Sequence, residues 1–264
     1  MLEVINVKKT FNRGTINEKK ALDGIDFFLD EGEFVTVIGG NGAGKSTVLN
    51  MIAGVYPIDS GKIILDGVDI SKKPEHVRAR YLGRVFQDPM LGTASEMAIQ
   101  ENLAMAYRRG KPRGLAWGIT HREKKEYVEK LKTLELGLET RMTSKVGLLS
   151  GGQRQALTLL MATLKQPKLL LLDEHTAALD PKTARRVNEL TEAIIMENHL
   201  TTIMITHNMK DAIRLGSRLI MMHEGRIIYD VSGEEKKGLK VVDLLEKFEQ
   251  ASGGEFANDR MLLS

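Results

Sequence analysis

Eight consecutive residues carry the strongest chemical signal in this chain of 264 residues. Gly39-Gly40-Asn41-Gly42-Ala43-Gly44-Lys45-Ser46 satisfies the pattern G-x-x-x-x-G-K-[ST] in full. Glycines at such positions let backbone N–H groups turn inward and close on phosphate oxygens without a side-chain clash. A helix starting directly after them adds the positive end of its dipole. Lys45 can bridge terminal phosphates, and the Ser46 hydroxyl can ligate Mg²⁺. The bland alternative is a glycine-rich turn with a surface lysine. The apolar run 34–38 before the loop and the helical pattern 45–53 after it favour the phosphate loop.

A phosphate loop needs a carboxylate on the metal side. Leu169-Leu170-Leu171-Leu172-Asp173 supplies one at the end of a strongly apolar run, where α/β sheets place ligands. Glu174 follows at once, and adjacent residues of a strand point to opposite sides. One carboxylate can therefore serve the metal while the next faces an attacking water. Taken alone, Asp-Glu after a leucine run reads as a capped strand end. A third feature is Leu149-Ser150-Gly151-Gly152-Gln153. Ser150 and Gln153 form an S-x-x-Q capping box, and Gly151-Gly152 leaves the helix start bare, a second anion-binding helix N-terminus. Two copies arranged head to tail would let each such helix start face the other copy's γ-phosphate.

The elements that must position these groups follow from periodicity. Strands are expected at 2–7, 25–29, 34–38, 61–65 and 82–86, with 12–20 a polar loop. A helical pattern runs over about 96–136, interrupted by the basic stretch 108–114, with 121–130 a surface helix. The last third alternates: helix 153–165, strand 169–172, helix 183–196, strand 201–206, a short helix, hairpin strands 217–222 and 226–231, and a tail helix 239–248. Short apolar runs between helices predict buried parallel strands, hence an α/β core.

Composition narrows the classes. The chain holds no cysteine, which removes disulfide frameworks, zinc-thiolate sites, iron–sulfur clusters and cysteine nucleophiles. Hydrophobic residues make up 42% and charged residues 28%, as in an ordinary globular chain. The formal charge of +3 does not demand a nucleic-acid partner, and none is expected. No apolar run is long enough to cross a membrane, and the N-terminus lacks the pattern of a secretory signal, so the cytoplasm is the expected compartment.

Kinases, GTPases and motor ATPases all carry a phosphate loop. The motif at 149–153 narrows the field, because here the sequence strongly resembles the ATP-binding subunit of ATP-binding-cassette (ABC) transporters over about residues 2–231. The motifs stand in the family's order: Walker A at 39–47 with Thr47 its last residue, the glutamine loop at Gln87, LSGGQ at 149–153, and Walker B with its glutamate at 169–174. The D-loop Ala178-Leu179-Asp180 and the switch histidine His207 complete the set. The resemblance implies a P-loop NTPase of α/β class. This would be an ABC cassette with a RecA-like core, an N-terminal antiparallel β subdomain and a helical subdomain inserted at about 88–155. It implies a single ABC domain over 1–250, with 251–264 a flexible tail.

The resemblance further implies ATP and Mg²⁺ as ligands. Glu174 would be the base or water-positioning group, with Lys45, Gln87 and His207 beside it. Ser46, Gln87 and Asp173 would control the metal. Gly39, Asn41, Gly42, Ala43, Gly44, Lys45, Ser46 and Thr47 would hold the phosphates. Ser150, Gly151, Gly152 and Gln153 would complete the site of a second copy, with Asp180 across the dimer interface. Phe11 lies where the family stacks an aromatic on adenine; a core phenylalanine is the alternative. The implied partners are membrane permease subunits, a second copy of the chain and, indirectly, an extracytoplasmic binding protein. The implied place is the cytoplasmic face of the membrane. The stretch 148–164 followed by DEHTAALD resembles the amino-acid uptake branch, with an aromatic amino acid as substrate guess. The rival readings are export, or a soluble ABC-type ATPase on DNA or ribosomes. Soluble members typically have a long coiled coil or two tandem cassettes, and no sustained heptads separate Gly44 from Asp173.

Two positions depart from the family pattern. Position 40 is Gly where Pro or Ser is frequent, which leaves the phosphate cradle intact. Position 175 is His where many members have Pro. His175 is either a second titratable group near the water or a tolerated variation. Arg108, Arg109, Lys111 and Arg113 read as a solvated turn, with lipid headgroups or an acidic loop as alternatives. Trp117 reads as a packing anchor or a contact to a membrane partner.

Overall fold

The two longest strands come first in the chain and form a hairpin, β1 (Leu2–Phe11) and β2 (Lys19–Leu29). Next come β3 (Phe34–Gly39), α1 (Lys45–Ala53), β4 (Ser60–Leu65), β5 (Val68–Asp69), α2 (Glu75–Arg78) and β6 (Leu82–Val85). The middle of the chain is α3 (Ile99–Tyr107), α4 (His121–Lys132) and α5 (Gly151–Thr163), followed by β7 (Leu169–Asp173) and α6 (Pro181–Glu197). The remainder is β8 (Thr202–Ile205), α7 (Met209–Arg214), β9 (Arg218–His223), β10 (Arg226–Ser232), α8 (Gly233–Gly238) and α9 (Val241–Ser252). The structure, a computed structural model, describes residues 1–110 and 118–252. It divides into two units: Met1–Arg78 with the described part of His199–Ser264, and Ala79–Asn198.

In the first unit an antiparallel sheet of order β2-β1-β4-β5 supplies the expected N-terminal β layer. The second sheet is built around β3, whose six residues are all buried. It runs parallel to β8, Val37 facing Ile205, and parallel to β9, Ile38 facing Met221. Buried on both faces, these strands read as unbroken apolar runs. Strands β9 and β10 form a hairpin whose two turn residues, Glu224 and Gly225, both have positive φ (45° and 75°). Helices α7 and α9 close the core, where Met209, Ala212, Leu244 and Phe248 pack on Ile38, Leu219 and Met221.

Arg78 secures the far end of α1. It is 2% exposed, and its Nη1 donates to the carbonyls of Met51 and Ile52 at 2.6 and 3.0 Å. Its Nε and Nη2 donate to Lys73 and Ser71 carbonyls at 2.6 and 3.0 Å. A guanidinium with several fixed donors suits the orphan carbonyls of a helix C-terminus.

In the second unit β6 and β7 pair in parallel from Leu82–Leu169 to Val85–Leu172. Leu169, Leu170, Leu171 and Leu172 are fully buried. Helix α5 lies so close to β6 that a Cβ on Gly83 would meet the Ala162 carbonyl oxygen at 2.7 Å. Helix α4 buries Tyr127 and Leu131 and leaves its charges outside. His175 is 1% exposed, with its Nε2 3.0 Å from the Thr191 Oγ1 of α6. Thr191 donates its own proton to the Val187 carbonyl at 2.7 Å, so His175 must be the donor, through Nε2–H. Burial pushes the imidazole down from 6.5 to about 4, so the ring is neutral near pH 7.

Several expected boundaries shift. Strand β2 starts at Lys19, inside the stretch read as a loop, and β1 runs on to Phe11. The helix expected from 183 starts at Pro181, and α8 follows β10 where no helix was expected. Arg108 and Arg109 are half-buried rather than solvated. Arg108 pairs with Glu123 at 3.0 Å, and Arg109 donates to the Ala162 carbonyl at 3.3 Å. Lys111, Arg113 and Trp117 lie outside the described residues, as does the tail beyond Ser252.

Two measurements follow from these contacts. Arg78→Ala removes a donor from four backbone carbonyls and should cost about 2–4 kcal/mol, read as a lowered urea midpoint at constant m. For His175 the sign is set by a folded pKa near 4 below an unfolded value of 6.5. Between those values the unfolded chain takes up a proton that the folded chain refuses. Stability should therefore hold above pH 6.5 and fall towards pH 4, by up to about 1.4 kcal/mol per pH unit. Urea titrations at pH 7, 5.5 and 4.5 check this, and His175→Asn should flatten that part of the curve.

Candidate active site

The loop after β3 is shaped by glycines that no other residue could replace without movement. Gly39 has φ 152°, and a Cβ there would meet the Met222 carbonyl oxygen at 2.2 Å. Gly44, at φ 99°, is the N-cap of α1, and a Cβ there would meet the Ala21 oxygen at 2.7 Å. The loop is tied down from two sides. Gly225 N–H donates to the Ala43 carbonyl at 3.0 Å, and Asp23 N–H donates to the Gly225 carbonyl at 3.0 Å.

Helix α1 opens with no side-chain cap and no acidic residue in its first turn. A helix start with neither a side-chain cap nor a carboxylate beside it suits an anion. Lys45 is 6% exposed and folds over the loop, donating to the carbonyls of Gly39 and Gly40 at 2.7 and 3.1 Å. Its charge is thus held at the loop itself. Asn41, Gly42 and Ser46 are exposed, Thr47 is half-buried and Ala43 is buried.

His207 stands at the same edge of this sheet. It lies two residues past the end of β8, which runs beside β3, and Thr206 N–H donates to the Val37 carbonyl at 3.2 Å. The next residue, Asn208, caps α7 by accepting from the Lys210 and Asp211 amides, which fixes the turn that holds His207. Phe11 is not a core residue. It is half-buried, with its ring edge-on to Tyr56 at 5.3 Å and 80°, opposite Lys19 across the hairpin. Lys19 was not singled out from the sequence, yet a Cβ on Gly42 would meet its Nζ at 3.2 Å. Only the hairpin pairing, which periodicity missed here, brings that lysine to the loop.

In the second unit the two adjacent carboxylates Asp173 and Glu174 stand where the leucine run ends. Asp173 and Glu174 are half-buried, and Glu174 has a left-handed backbone (φ 48°). Its carbonyl accepts from Ala177 N–H at 2.9 Å, closing a turn directly after the strand. His175, bonded to Thr191 and neutral, is a buried anchor of that turn and not a second titrating group at neutral pH. Gln87 is exposed two residues past β6, at the end of the parallel pair that also ends in Asp173.

The capping box at the start of α5 is formed in both directions. Gln153 N–H donates to Ser150 Oγ at 3.3 Å, and Ser150 N–H donates to Gln153 Oε1 at 3.2 Å. The helix start is therefore less bare than its glycines suggest; the amides of Gly151 and Gly152 lie outside the box. Gly152 has a packing reason as well, because a Cβ there would meet Thr183 Cγ2 at 2.3 Å. Gly151 is less tightly enclosed, with Leu179 Cδ2 3.3 Å from the place of its Cβ. Asp180 accepts from Thr183 N–H at 3.1 Å with Pro181 at the first helical position, as expected. Hydrogen bonding from the Thr183 side chain, and then from its amide, holds the Asp180 carboxyl below its usual value. The signature start and the D-loop segment thus share one packed surface. Arg154 and Gln155 were not anticipated. Gln155 donates to the Phe86 carbonyl at 3.4 Å, and Arg154 donates to Met90 Sδ and to the Gly147 carbonyl.

Each unit offers one oxygen donor of a kind that suits Mg²⁺. Ser46 offers a hydroxyl and Asp173 a carboxylate, both hard oxygen donors. Among the described residues no group of three or more His, Asp or Glu could hold a metal alone. An ion that keeps waters and takes phosphate oxygens fits such a sparse set. No helix among the described residues is long and apolar enough to cross a membrane.

The chain is similar to known proteins over most of its length. The profile of the family described as "ABC transporter" matches residues 22–177. A tyrosine transport ATP-binding protein of Clostridioides difficile (strain R20291) is 45% identical over 252 residues, covering 95% of this chain and 100% of that protein. A spermidine/putrescine import ATP-binding protein of Haemophilus influenzae is 34% identical over 89% of this chain, which spans 59% of that longer protein. An ATP-binding cassette solved as a dimer in a post-hydrolysis state, bound to ADP and Pi, superposes with TM-score 0.75. It shares 29% identity and covers 88% of this chain and 98% of its own. A cassette of an ABC transporter in its ADP conformation gives TM-score 0.75 at 27% identity over 93% and 98%. A chain whose residues 22–177 match that family's profile, and that is 45% identical over 252 residues to one of its transport ATP-binding proteins, belongs to the ABC transporter family.

Proposed function

We propose that this chain is the ATP-binding and ATP-hydrolysing subunit of an amino-acid import system. It works as a head-to-tail dimer on the cytoplasmic face of the membrane, beneath a separate permease fed by an extracytoplasmic binding protein. Residues 1–250 form one cassette in this reading. The observation that carries it is the end-to-end similarity to a tyrosine transport ATP-binding protein. An aromatic amino acid is accordingly the proposed cargo, recognised by the partners, since the residues assigned here all serve ATP.

The chemistry is phosphoryl transfer to water. Gly39, Asn41, Gly42, Ala43 and Gly44 offer backbone amides to the phosphates, Ser46 and Thr47 close the cradle, and Phe11 stacks on adenine. Lys45 exchanges its loop carbonyls for the β- and γ-phosphate oxygens, a small rearrangement because it already lies over the loop. Bound Mg²⁺, held by Ser46 and Asp173 with Gln87 beside it, would neutralise charge developing on the phosphates. Glu174 orients the attacking water and accepts its proton. The water oxygen bonds to the γ-phosphorus as the bond to the ADP oxygen breaks, and ADP and inorganic phosphate leave. His207 hydrogen-bonds a γ-phosphate oxygen.

Ser150 acts on the nucleotide of the second copy together with Gly151, Gly152 and Gln153, and Asp180 lies at that interface. Because Ser150 Oγ accepts from Gln153 N–H, its own hydroxyl proton can point to a phosphate oxygen. ATP binding closes the dimer and hydrolysis reopens it.

Glu174→Gln should bind ATP, turn over about 10²–10⁴-fold more slowly and accumulate as a closed dimer on size exclusion; rapid turnover would remove Glu174 from its role. Lys45→Ala should lose ATP binding by equilibrium dialysis, and unchanged affinity would contradict the phosphate-loop assignment. In proteoliposomes with its permease, ATP hydrolysis should rise with the binding protein loaded with tyrosine. A rise only with a polyamine would overturn the cargo assignment.

A further inference from the structure

The strand leading to Gln87 carries a charge that the mechanism above leaves unused. Arg84 lies on β6 opposite Leu171 of β7. Side chains repeat on one face every second residue, so Arg84 shares a face with Phe86, and Leu171 shares one with Asp173. The Arg84 guanidinium sits over the Phe86 ring, 4.5 Å from its centroid. From there its Nη2 is 3.8 Å from Asp173 Oδ2. The two side chains are only 14% and 15% exposed, so water screens the pair weakly.

Two opposite effects are conceivable for such a cation beside a metal-side carboxylate. It can orient the carboxylate, or it can oppose a second cation. Distance decides between them. At 3.8 Å the contact is longer than a hydrogen bond, so its orienting power is slight. Charge repulsion falls off much more slowly and is doubled for a divalent ion. A guanidinium keeps its charge at all working pH values and has no lone pair for a metal. The Phe86 ring favours the charge staying where it is.

We propose that Arg84 is the resident counter-cation of Asp173, held in place on Phe86, and that it competes with the divalent cation for that carboxylate. Arg84 thereby sets the cation concentration at which the site loads. The inference rests on the reading of Asp173 as the metal-side carboxylate.

The test uses the full chain with the non-hydrolysable analogue AMP-PNP and Mn²⁺ as a paramagnetic stand-in for Mg²⁺. Electron paramagnetic resonance then reads the protein-bound Mn²⁺. Arg84→Met should tighten Mn²⁺ binding about threefold to tenfold, as expected for losing one poorly screened charge. Phe86→Leu, which removes the platform but keeps the charge, should shift it in the same direction by less. It also decides the matter if Arg84→Met does not fold. The Mg²⁺ concentration for half-maximal hydrolysis should fall in parallel. Unchanged or weaker Mn²⁺ binding in the folded variants overturns the role of Arg84. Asp173→Ala separates the two layers. If it weakens Mn²⁺ binding while Arg84→Met and Phe86→Leu do nothing, only the counter-cation fails. If it binds Mn²⁺ as the parent does, the metal-side reading itself fails and the inference falls with it.

Discussion

Helix α1 starts on amides that its own sequence declines to satisfy, and the first unit is organised around that omission. A Ser or Asp at the N-cap would stabilise the helix by about 1 kcal/mol. Gly44 stands there instead, in a left-handed conformation and with no cap bond. The cost is offset by ties from outside the loop. The Ala43 carbonyl is held by Gly225, Gly225 by Asp23, and Asp23 by Lys20 and Arg226 at 3.0 and 2.5 Å. Arg78 stabilises the other end of the helix. The loop is therefore rigid without being filled, which is what backbone recognition of a phosphate requires.

Two helices of the second unit start in the opposite way. Helices α5 and α6 both carry side-chain caps, from Ser150 with Gln153 and from Asp180. Capping restricts what the start of α5 can offer an anion: two glycine amides and one hydroxyl proton, in place of a fully bare turn. Such a site contributes directed hydrogen bonds with a weaker general field. A weaker, directional contact fits the proposal that this surface engages and releases a second copy.

Legibility in the sequence followed the range of the interactions. The phosphate loop and the helix 45–53 were read to the residue, because glycine spacing and helical period are local. The Ser150–Gln153 box and the Asp180-Pro181 start were read for the same reason, since their partners lie three residues away or fewer. The hairpin was read short. At Asn6 (φ 45°) the register of β1 shifts, so Val4 and Val7 are buried while Ile5 and Asn6 face out, and a strict period of two fails. Lys19 was lost with it. Helix α8 has no apolar stripe to detect, and what anchors it is Lys236, whose Nζ donates to the Leu215 and Gly216 carbonyls. For His175 both readings stood open until its partner was known. Thr191 lies sixteen residues on, beyond any local pattern.

The least legible feature is also the one that organises the second unit. Helix α5 begins at the signature motif, and its first turns reach both ways. Gln155 holds the Phe86 carbonyl, and Arg154 holds Met90 and the carbonyls of Gly147 and Leu149. The segment on either side of Gln87 is therefore bonded to the same helix turn that presents Ser150. On the other flank, Gly151 and Gly152 abut Leu179 and Thr183 with no room for a Cβ to spare. A displacement of residues 86–90 must either break these bonds or carry the start of α5 with it. Close packing resists the former, because interiors shift between discrete arrangements and do not deform gradually. The glutamine loop, the signature start and the D-loop segment thus form one mechanical body within this unit, joined by contacts that no single motif encodes.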